Sequence, residues 1–341
     1  MFNVSEYEVF QKDQWNSERK VLFTKVKNFC TANNIGFNLL DSEILNNKFN
    51  KNIFILQGEL IPSFDSWKKL NDECVKAGKF LIVINDNILK FTEELSSIKF
   101  FSCIEFYGVM NVFDWSLDDL PTPSKLFNCF MQRIDSVRQT WFYFLYQNNL
   151  LDQGYVSFLL KQVVDYSTAT GLELFDYIHQ TYNLGQLPHF NEAYQNLKTQ
   201  VPYRNFEETF DLNDYILDSK YSLILETYAT NDDCAHWYFS EKSLRSLQFP
   251  NLNLLFVQKG GVEILESLGF LFGVSLVELD NLSWPERQLK LLDFLITDPV
   301  PYNKKQLIDI SMHNRSIFKN WQEEYQKETY FDKIFDFILE A

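Results

Sequence analysis

The chain has 341 residues, of which 46% are hydrophobic, including 33 Phe, 17 Tyr and 7 Trp. This is enough apolar material for two folded domains of roughly 150 residues each, and it excludes a disordered chain. The net charge of −15, from 46 acidic and 31 basic residues, disfavours nucleic acid and anionic lipid as main partners, because both are bound through clustered cations.

The cysteines and the apolar segments indicate the compartment. An odd number of cysteines without CxxC spacing predicts reduced thiols. The first residues contain no cationic head followed by an apolar run, and no uncharged apolar stretch of about 18 residues occurs, so we expect no signal peptide and no membrane span. These features predict a cytoplasmic protein. The five cysteines are Cys30, Cys74, Cys103, Cys129 and Cys234.

The first third of the chain alternates predicted strands with predicted helices. Apolar residues at helical spacing predict a helix over 17–33, and an amphipathic segment predicts a second helix between Phe64 and Ala77. Continuous apolar strands in strand–helix–strand order favour a parallel sheet covered on both faces. The predicted strands are 36–41, 52–58, 79–85 and 100–108.

The Pro- and Asp-rich segment 117–125 predicts a linker, after which a second unit begins. We expect strands over 126–131, 221–228 and 251–257. A helix with a dense aromatic face is expected over 135–150, and helical, irregular structure over 155–220. The tail from Trp284 to Ala341 is predicted to be mostly helical, with its last helix amphipathic through Ile317, Phe318, Trp321 and Tyr325.

A Ser-Glu-Lys motif follows one of these strands. Glu241 and Lys242 come shortly after a predicted strand's carboxyl end, where α/β sheets hold their ligands. Ser240 is the expected N-cap of a helix whose first N–H groups can face an anion. A carboxylate can accept from a ribose and an ammonium can neutralise phosphate. The alternative is an ordinary solvated Glu-Lys pair.

Two arginines form the second candidate group. Arg133 comes just after a predicted strand, and Arg138 lies in the first turns of the following helix. Arginine at a helix N-terminus opposes the macrodipole, so its position needs another reason. Binding a diphosphate is one reason, because the guanidinium fork matches phosphate oxygens. An Arg138–Asp135 surface pair is the alternative.

These motifs carry a family resemblance. The strand–Arg–helix segment, ETY…YFSEK, the next apolar strand and GGVEILESLGF resemble the C-terminal donor domain of GT-B-like glycosyltransferases, most of all the α1,3-fucosyltransferases and their phage and bacterial relatives. The resemblance covers residues 126–270. It implies Arg133 or Arg138 on the diphosphate, Glu241 on the ribose and Lys242 on phosphate.

Glu226 and Ser240 are also expected among the donor-binding residues. After Lys242 this chain departs from the family pattern of a small-residue helix and Gly-x-Pro, because LRSLQFPNLNLLFV keeps only Pro250. We therefore keep the sugar donor's identity open.

The expected fold is α/β, with two Rossmann-like domains in a GT-B-like arrangement and a helical C-terminal tail. Residues 1–120 are the predicted acceptor domain, 121–300 the nucleotide-sugar donor domain and 301–341 the tail. One undivided α/β domain with helical insertions is the structural alternative.

No metal or cofactor is expected; the nucleotide-sugar is a co-substrate. No Asp-x-Asp occurs, and the four histidines show neither HxH nor HExxH spacing. We interpret His236 as a satisfied loop histidine rather than a donor contact, and the Gly260-Gly261 turn as a helix start rather than a phosphate cradle. GxSxG, P-loop and GxGxxG motifs are also absent.

An inverting transferase needs a carboxylate base near the acceptor hydroxyl. Glu59 directly follows a predicted strand of the first domain and is the expected base; Glu105 and Asp86 compete with it.

The sequence thus predicts a metal-independent glycosyltransferase that transfers a hexose or related sugar to a glycan or glycolipid in polysaccharide biosynthesis. Two alternatives stay open: a scaffold that has lost catalysis, and a phage-type enzyme that glycosylates modified DNA bases.

Overall fold

The computed structural model divides the chain into two compact units. Unit 1 comprises Met1–Val112, Asp233–Phe239 and Phe318–Ala341, and unit 2 comprises Phe113–Asp232 and Ser240–Ile317. The structure describes residues 17–38, 45, 48–56, 63–85, 88–90, 95–104, 113, 115, 120–131, 136–158, 212–226, 228–231 and 234–341.

Unit 1 contains a four-stranded parallel sheet in the order β1-β2-β3-β5. A short antiparallel pair, β4 with β9, aligns Ile88 with Trp237 and Leu89 with His236. The strands are β1 (Gly36–Asn38), β2 (Lys51–Leu56), β3 (Phe80–Asn85), β4 (Ile88–Leu89), β5 (Ile98–Ser102) and β9 (His236–Trp237).

Both faces of this sheet are buried, as continuous apolar strands predict. On one face, Ile82 and Ile84 of β3 pack in a cluster with helices α1 (Ser17–Ala32) and α10 (Thr329–Glu340). On the other, Leu81 and Val83 pack with Trp67 of helix α2. That helix, Phe64–Lys76, begins at the N-cap Ser63, whose side chain accepts from the backbone N–H of Ser66 at 3.3 Å.

Unit 2 contains a second four-stranded parallel sheet in the order β10-β8-β6-β7. Its strands are β6 (Lys125–Met131), β7 (Gly154–Phe158), β8 (Ser219–Leu225) and β10 (Leu252–Phe256). The helices that begin in this unit are α3 (Ser136–Gln147), α4 (Leu212–Leu217), α5 (Glu241–Ser246), α6 (Gly261–Ser267), α7 (Val277–Asp280), α8 (Trp284–Thr297) and α9 (Lys304–Gln326).

The chain is therefore a mixed α/β protein with parallel sheets, as the sequence predicts. Strand β8 ends at Leu225, earlier than the predicted 228, so Glu226 directly follows it. The prediction of helical, irregular structure over 155–220 is wrong at its start, because residues 155–158 belong to β7 and pair with β6, beginning with Tyr155 opposite Asn128. The rest of that segment up to 211 lies outside the described residues.

The tail is helical from Trp284, as predicted, but Ile317, Phe318, Trp321 and Tyr325 lie on α9 rather than on the last helix α10. Helix α9 is 23 residues long, and a further helix, α10, follows it. The observed division also differs from the predicted domain ranges, since 233–239 and 318–341 belong to unit 1.

Candidate functional site

The order of the strands in unit 2 defines a switch point between β6 and β8. From β6 the chain goes to β7 on one side, and it returns to β8 on the other side before continuing to β10. Because these strands are parallel, the segments that follow β6 and β8 leave from the same edge in opposite directions. In open α/β sheets this crevice is where ligands bind.

Arg138 lies at this edge. It is the third residue of α3, the helix that follows β6, and its side chain is only 1% exposed. Its Nη2 donates to the carbonyl oxygen of Leu225, the last residue of β8, at 3.3 Å. Arg138 is therefore not a surface residue, while Asp135 lies outside the described residues, so the alternative of an Arg138–Asp135 pair stays open.

Glu226 follows Leu225 and is 2% exposed. Its Oε1 accepts hydrogen bonds from the backbone N–H of Ser240 at 2.9 Å, from the Ser240 hydroxyl at 2.9 Å and from the Ser243 hydroxyl at 2.5 Å. Its backbone N–H donates to Phe256 O of β10 at 3.1 Å. The carboxylate therefore joins the end of β8 to the start of α5.

Ser240 is the N-cap of α5, as predicted, with extended backbone angles (φ −86°, ψ 173°). Its hydroxyl oxygen accepts the N–H of Lys242 at 3.2 Å. The expectation that the helix offers free N–H groups to an anion is wrong for Lys242, since the cap uses that donor. Helix α5 has only six residues, and the binding role expected for the Lys242 ammonium stays a prediction.

Arg138 and Lys242 act electrostatically on the same buried residue. Cys129 of β6 is fully buried, and burial raises the pKa of its thiol to about 12, while the positive charges of Arg138 and Lys242 oppose that rise. Arg138 is hydrogen-bonded to Leu225 O at the end of β8, and the main chain of Lys242 is hydrogen-bonded to Ser240, which itself donates to Glu226. The structure thus brings together four predicted site residues, Arg138, Glu226, Ser240 and Lys242, at one edge of one sheet.

The Gly260-Gly261 turn starts a helix, as interpreted from the sequence. Gly260 has φ 79°, and α6 begins at the next residue. The N–H of Glu263 donates to Oδ2 of Asp280 at 3.0 Å, and Asp280 is 4% exposed. A buried carboxylate thus accepts a main-chain N–H of the first turn of α6, which agrees with the turn acting as a helix start.

His236 is a buried, hydrogen-bonded histidine of unit 1. Its Nε2 accepts from the indole N–H of Trp67 at 2.8 Å. Because an indole only donates, the neutral ring carries its proton on Nδ1, which lies 3.3 Å from the side-chain amide nitrogen of Asn85; Nδ1 donates to Asn85 once that amide is turned so that its oxygen takes this place. Burial, and then the charge of Lys90, lowers the pKa of His236 from 6.5 to about 3. The interpretation as a satisfied histidine is confirmed.

Several predicted residues lie outside the described part of the chain. They are Arg133, the expected base Glu59, its competitors Glu105 and Asp86, and the side chain of Glu241; their roles stay predictions.

Sequence reasoning missed Ser243 and Asp280. The spacing of Ser240 and Ser243, three residues apart at the start of a helix, is the signal that would have pointed to a shared acceptor such as Glu226. No local signal indicates Asp280, because it lies 17 residues from the N–H it accepts.

Within the described residues, no group of three or more His, Cys, Asp or Glu side chains could hold a metal ion, and no helix there combines the length and apolarity needed to cross a bilayer. All five cysteines are buried free thiols. No family model, no curated protein and no solved structure matches the chain.

Proposed function

We propose that this protein is a glycosyltransferase with two Rossmann-like domains in a GT-B-like arrangement, and that the carboxyl edge of the sheet in unit 2 binds the diphosphate of a nucleotide-sugar. The observation that carries the proposal is the pair of contacts at the end of β8, beside the switch point: Arg138 donates to Leu225 O, and Glu226 is hydrogen-bonded to the cap of the helix that carries Lys242. Two cations at such a crevice suit an anionic ligand.

In this proposal Arg138 and Lys242 stabilise the negative charge of the leaving nucleoside diphosphate. Departure of a nucleoside diphosphate develops negative charge on its phosphate oxygens, and preorganised cations at that position lower the barrier. Arg138 is held by the carbonyl oxygen of Leu225, and the main chain of Lys242 is held by the cap of α5. In this proposal Arg133 assists at the diphosphate and Glu241 binds the ribose.

The residue proposed to activate the acceptor is assigned from the sequence alone. Glu59 deprotonates the hydroxyl of a glycan or glycolipid acceptor, which then displaces the nucleotide directly, without a metal or another cofactor. The protein would act in the cytoplasm in polysaccharide biosynthesis. The two parallel sheets, one in each unit, support the two-domain reading.

A scaffold protein without catalysis is the second candidate function. It is favoured by the helix after Lys242, which lacks the family's Gly-x-Pro. A phage-type enzyme acting on modified DNA bases is the third, and the net charge of −15 counts against it.

The test is a thermal-shift screen with GDP-, UDP- and CMP-linked sugars, followed by sugar-transfer and hydrolysis assays on any ligand that binds. A ligand at 100 times its Kd adds about 2.7 kcal/mol to the unfolding free energy, so a binder raises the melting temperature. Lys242→Ala should abolish the shift, whereas Lys290→Ala, an exposed lysine of α8, should preserve it.

The outcomes separate the three candidates. If no nucleotide-sugar changes the melting temperature, the enzyme proposal fails and the scaffold gains. If a nucleotide-sugar binds but is neither hydrolysed nor transferred, the donor site stands without catalysis. Salt-sensitive binding of duplex DNA would favour the DNA-modifying enzyme.

A further inference from the structure

Glu226 was expected among the donor-binding residues, but its contacts point to another role. We infer that Glu226 is a positioning residue: its carboxylate holds the start of α5 so that Lys242 presents its ammonium to the diphosphate, and it does not itself contact the ligand. The part that concerns the diphosphate rests on the proposed function.

A single carboxylate oxygen of Glu226 accepts all three of its side-chain hydrogen bonds given above. Oε1 of Glu226 accepts from the Ser240 N–H, the Ser240 hydroxyl and the Ser243 hydroxyl. Three donors converging on one buried, charged acceptor give hydrogen bonds stronger than those between neutral groups. All three donors belong to α5 or to its cap, so the carboxylate is directed at the helix.

Ser240 links the Glu226 carboxylate to the main-chain N–H of Lys242. Because the Ser240 hydroxyl donates its proton to Glu226, its oxygen lone pairs are left to accept the N–H of Lys242 at 3.2 Å. The orientation of the Ser240 hydroxyl is therefore set by Glu226. Without the carboxylate, that hydroxyl can rotate and the cap of α5 weakens.

Helix α5 needs contacts with residues outside the helix to be stable. A helix of six residues is too short to be stable by itself, since helix formation requires a costly nucleus. Glu226 is itself fixed, because its N–H donates to Phe256 O of β10. Glu226 thus connects the start of α5 to the hydrogen-bonded sheet.

The neighbouring residue completes the arrangement. Leu225 O accepts the Arg138 guanidinium at 3.3 Å, while Glu226 holds the helix that carries Lys242. Two consecutive residues at the end of β8 therefore set the positions of both cations, one through a main-chain oxygen and one through a side chain.

Amide and alanine variants separate positioning from ligand contact. In Glu226→Gln the amide oxygen can still accept from the serines, whereas a ligand hydroxyl that needs a second carboxylate oxygen would meet an NH₂ group. Positioning predicts that Glu226→Gln keeps GDP and UDP affinity within about threefold and that Glu226→Ala loses about tenfold or more, near 1.4 kcal/mol. Equal losses in the two variants would overturn the inference.

A double-mutant cycle that combines Glu226→Ala with Lys242→Ala, measured by GDP and UDP affinity, distinguishes positioning of Lys242 from a general loss of stability. If Glu226 acts through Lys242, the Glu226→Ala/Lys242→Ala double variant binds GDP and UDP as weakly as Lys242→Ala alone. Additive losses would show that Glu226 acts independently, and the inference would fall.

Asp218 supplies a matched control at the other end of β8. Its carboxylate also accepts three hydrogen bonds, from the N–H and hydroxyl of Ser124 and from the hydroxyl of Tyr155. Asp218→Ala should lower stability while leaving GDP and UDP affinity within about twofold of wild type.

A measurement without ligand keeps the inference separate from the proposed function. Amide hydrogen exchange of peptides covering residues 238–249 should become faster in Glu226→Ala and stay slow in Glu226→Gln. Unchanged exchange in Glu226→Ala refutes the anchoring of α5. If wild-type protein binds neither GDP nor UDP but the exchange pattern holds, the diphosphate role has failed and the anchoring has survived.

Discussion

Arg138 donates a hydrogen bond to the carbonyl oxygen of Leu225 at 3.3 Å, so a side chain from the helix after β6 reaches the end of β8. This contact spans the switch point, where the chain leaves the two strands in opposite directions. The buried guanidinium therefore lies at the edge where open α/β sheets bind their ligands.

Replacing Arg138 should affect both stability and ligand binding. We expect Arg138→Met to keep the buried volume and to weaken GDP and UDP binding by about tenfold or more. The salt dependence of binding should also decrease, because one cation is removed. Calorimetric titration at two salt concentrations measures both effects.

Arg315→Met is the matched control for this prediction. Arg315 is also buried, and it donates to a main-chain oxygen, that of Trp115, at 3.4 Å. This variant should lose stability while retaining the affinity of wild type. A similar loss of affinity in both variants would mean that Arg138 acts only through the stability of unit 2.

Asp280 should make stability increase as the pH falls. Burial raises the pKa of its carboxyl from 3.8 to about 6, so below pH 6 the folded protein binds a proton that the unfolded chain takes up only near pH 4. The group therefore destabilises the fold above pH 6, by about 2 to 3 kcal/mol at most. Asp280→Asn should be more stable than wild type at pH 7.5 and lose this advantage near pH 4.5.

Urea unfolding at the two pH values checks the prediction. The exposed Glu278 of α7 gives the control, because Glu278→Gln removes a nearby carboxylate without changing a buried one. If Asp280→Asn is less stable than wild type at pH 7.5, the charged carboxylate is needed to hold the N–H of Glu263.

His236 should give the opposite pH dependence. Its pKa is lowered to about 3 by burial and then by Lys90, so between pH 6.5 and 3 only the unfolded chain binds the proton. The stabilisation is complete above pH 6.5 and decreases by about 1.4 kcal/mol for each pH unit well below that. His236→Phe should flatten this part of the pH profile of the melting temperature.

Two further variants test the assignment of this effect. His313 is exposed, so His313→Phe should leave the slope unchanged. Trp67→Phe removes the indole donor of Nε2 and should cost about 1 to 3 kcal/mol, the price of an unsatisfied buried acceptor. A wild-type slope in His236→Phe would contradict the buried position of the ring.

Gly154 tests the pairing of β7 with β6. A Cβ atom at this position would lie 2.5 Å from ring carbons of Phe127, its partner on β6. Since Phe127 is fully buried and cannot move aside, Gly154→Ala should lower the unfolding free energy by about 1 to 3 kcal/mol. Chemical denaturation followed by tryptophan fluorescence measures the change.

Gly78→Ala is the comparison, because a Cβ there meets no atom within 4 Å and the cost comes from its φ of 61° alone. We expect about 1 kcal/mol for it. If Gly154→Ala lowers the unfolding free energy no more than Gly78→Ala does, the close packing of β7 on Phe127 that the structure shows would be contradicted.

The strands were predictable because apolar runs such as 79–85 bury both faces of a parallel sheet, a pattern that local sequence carries. Strand β7 was not, because it contains Gly154 and Ser157 and its partner lies about 27 residues earlier, at Phe127. The Ser240 cap was predictable, since capping involves residues two positions apart.

The sequence by itself determined the α/β class, the cap of α5 and the presence of arginine and lysine after neighbouring strands. Those features depend on contacts between residues close in the chain. Only the tertiary structure decided that Glu226 faces Ser240 and Ser243, that Asp280 accepts the N–H of Glu263 and that Arg138 reaches Leu225. These contacts join residues 14 to 87 positions apart, and the order of strands in the sheet, which local pattern does not encode, brings them together.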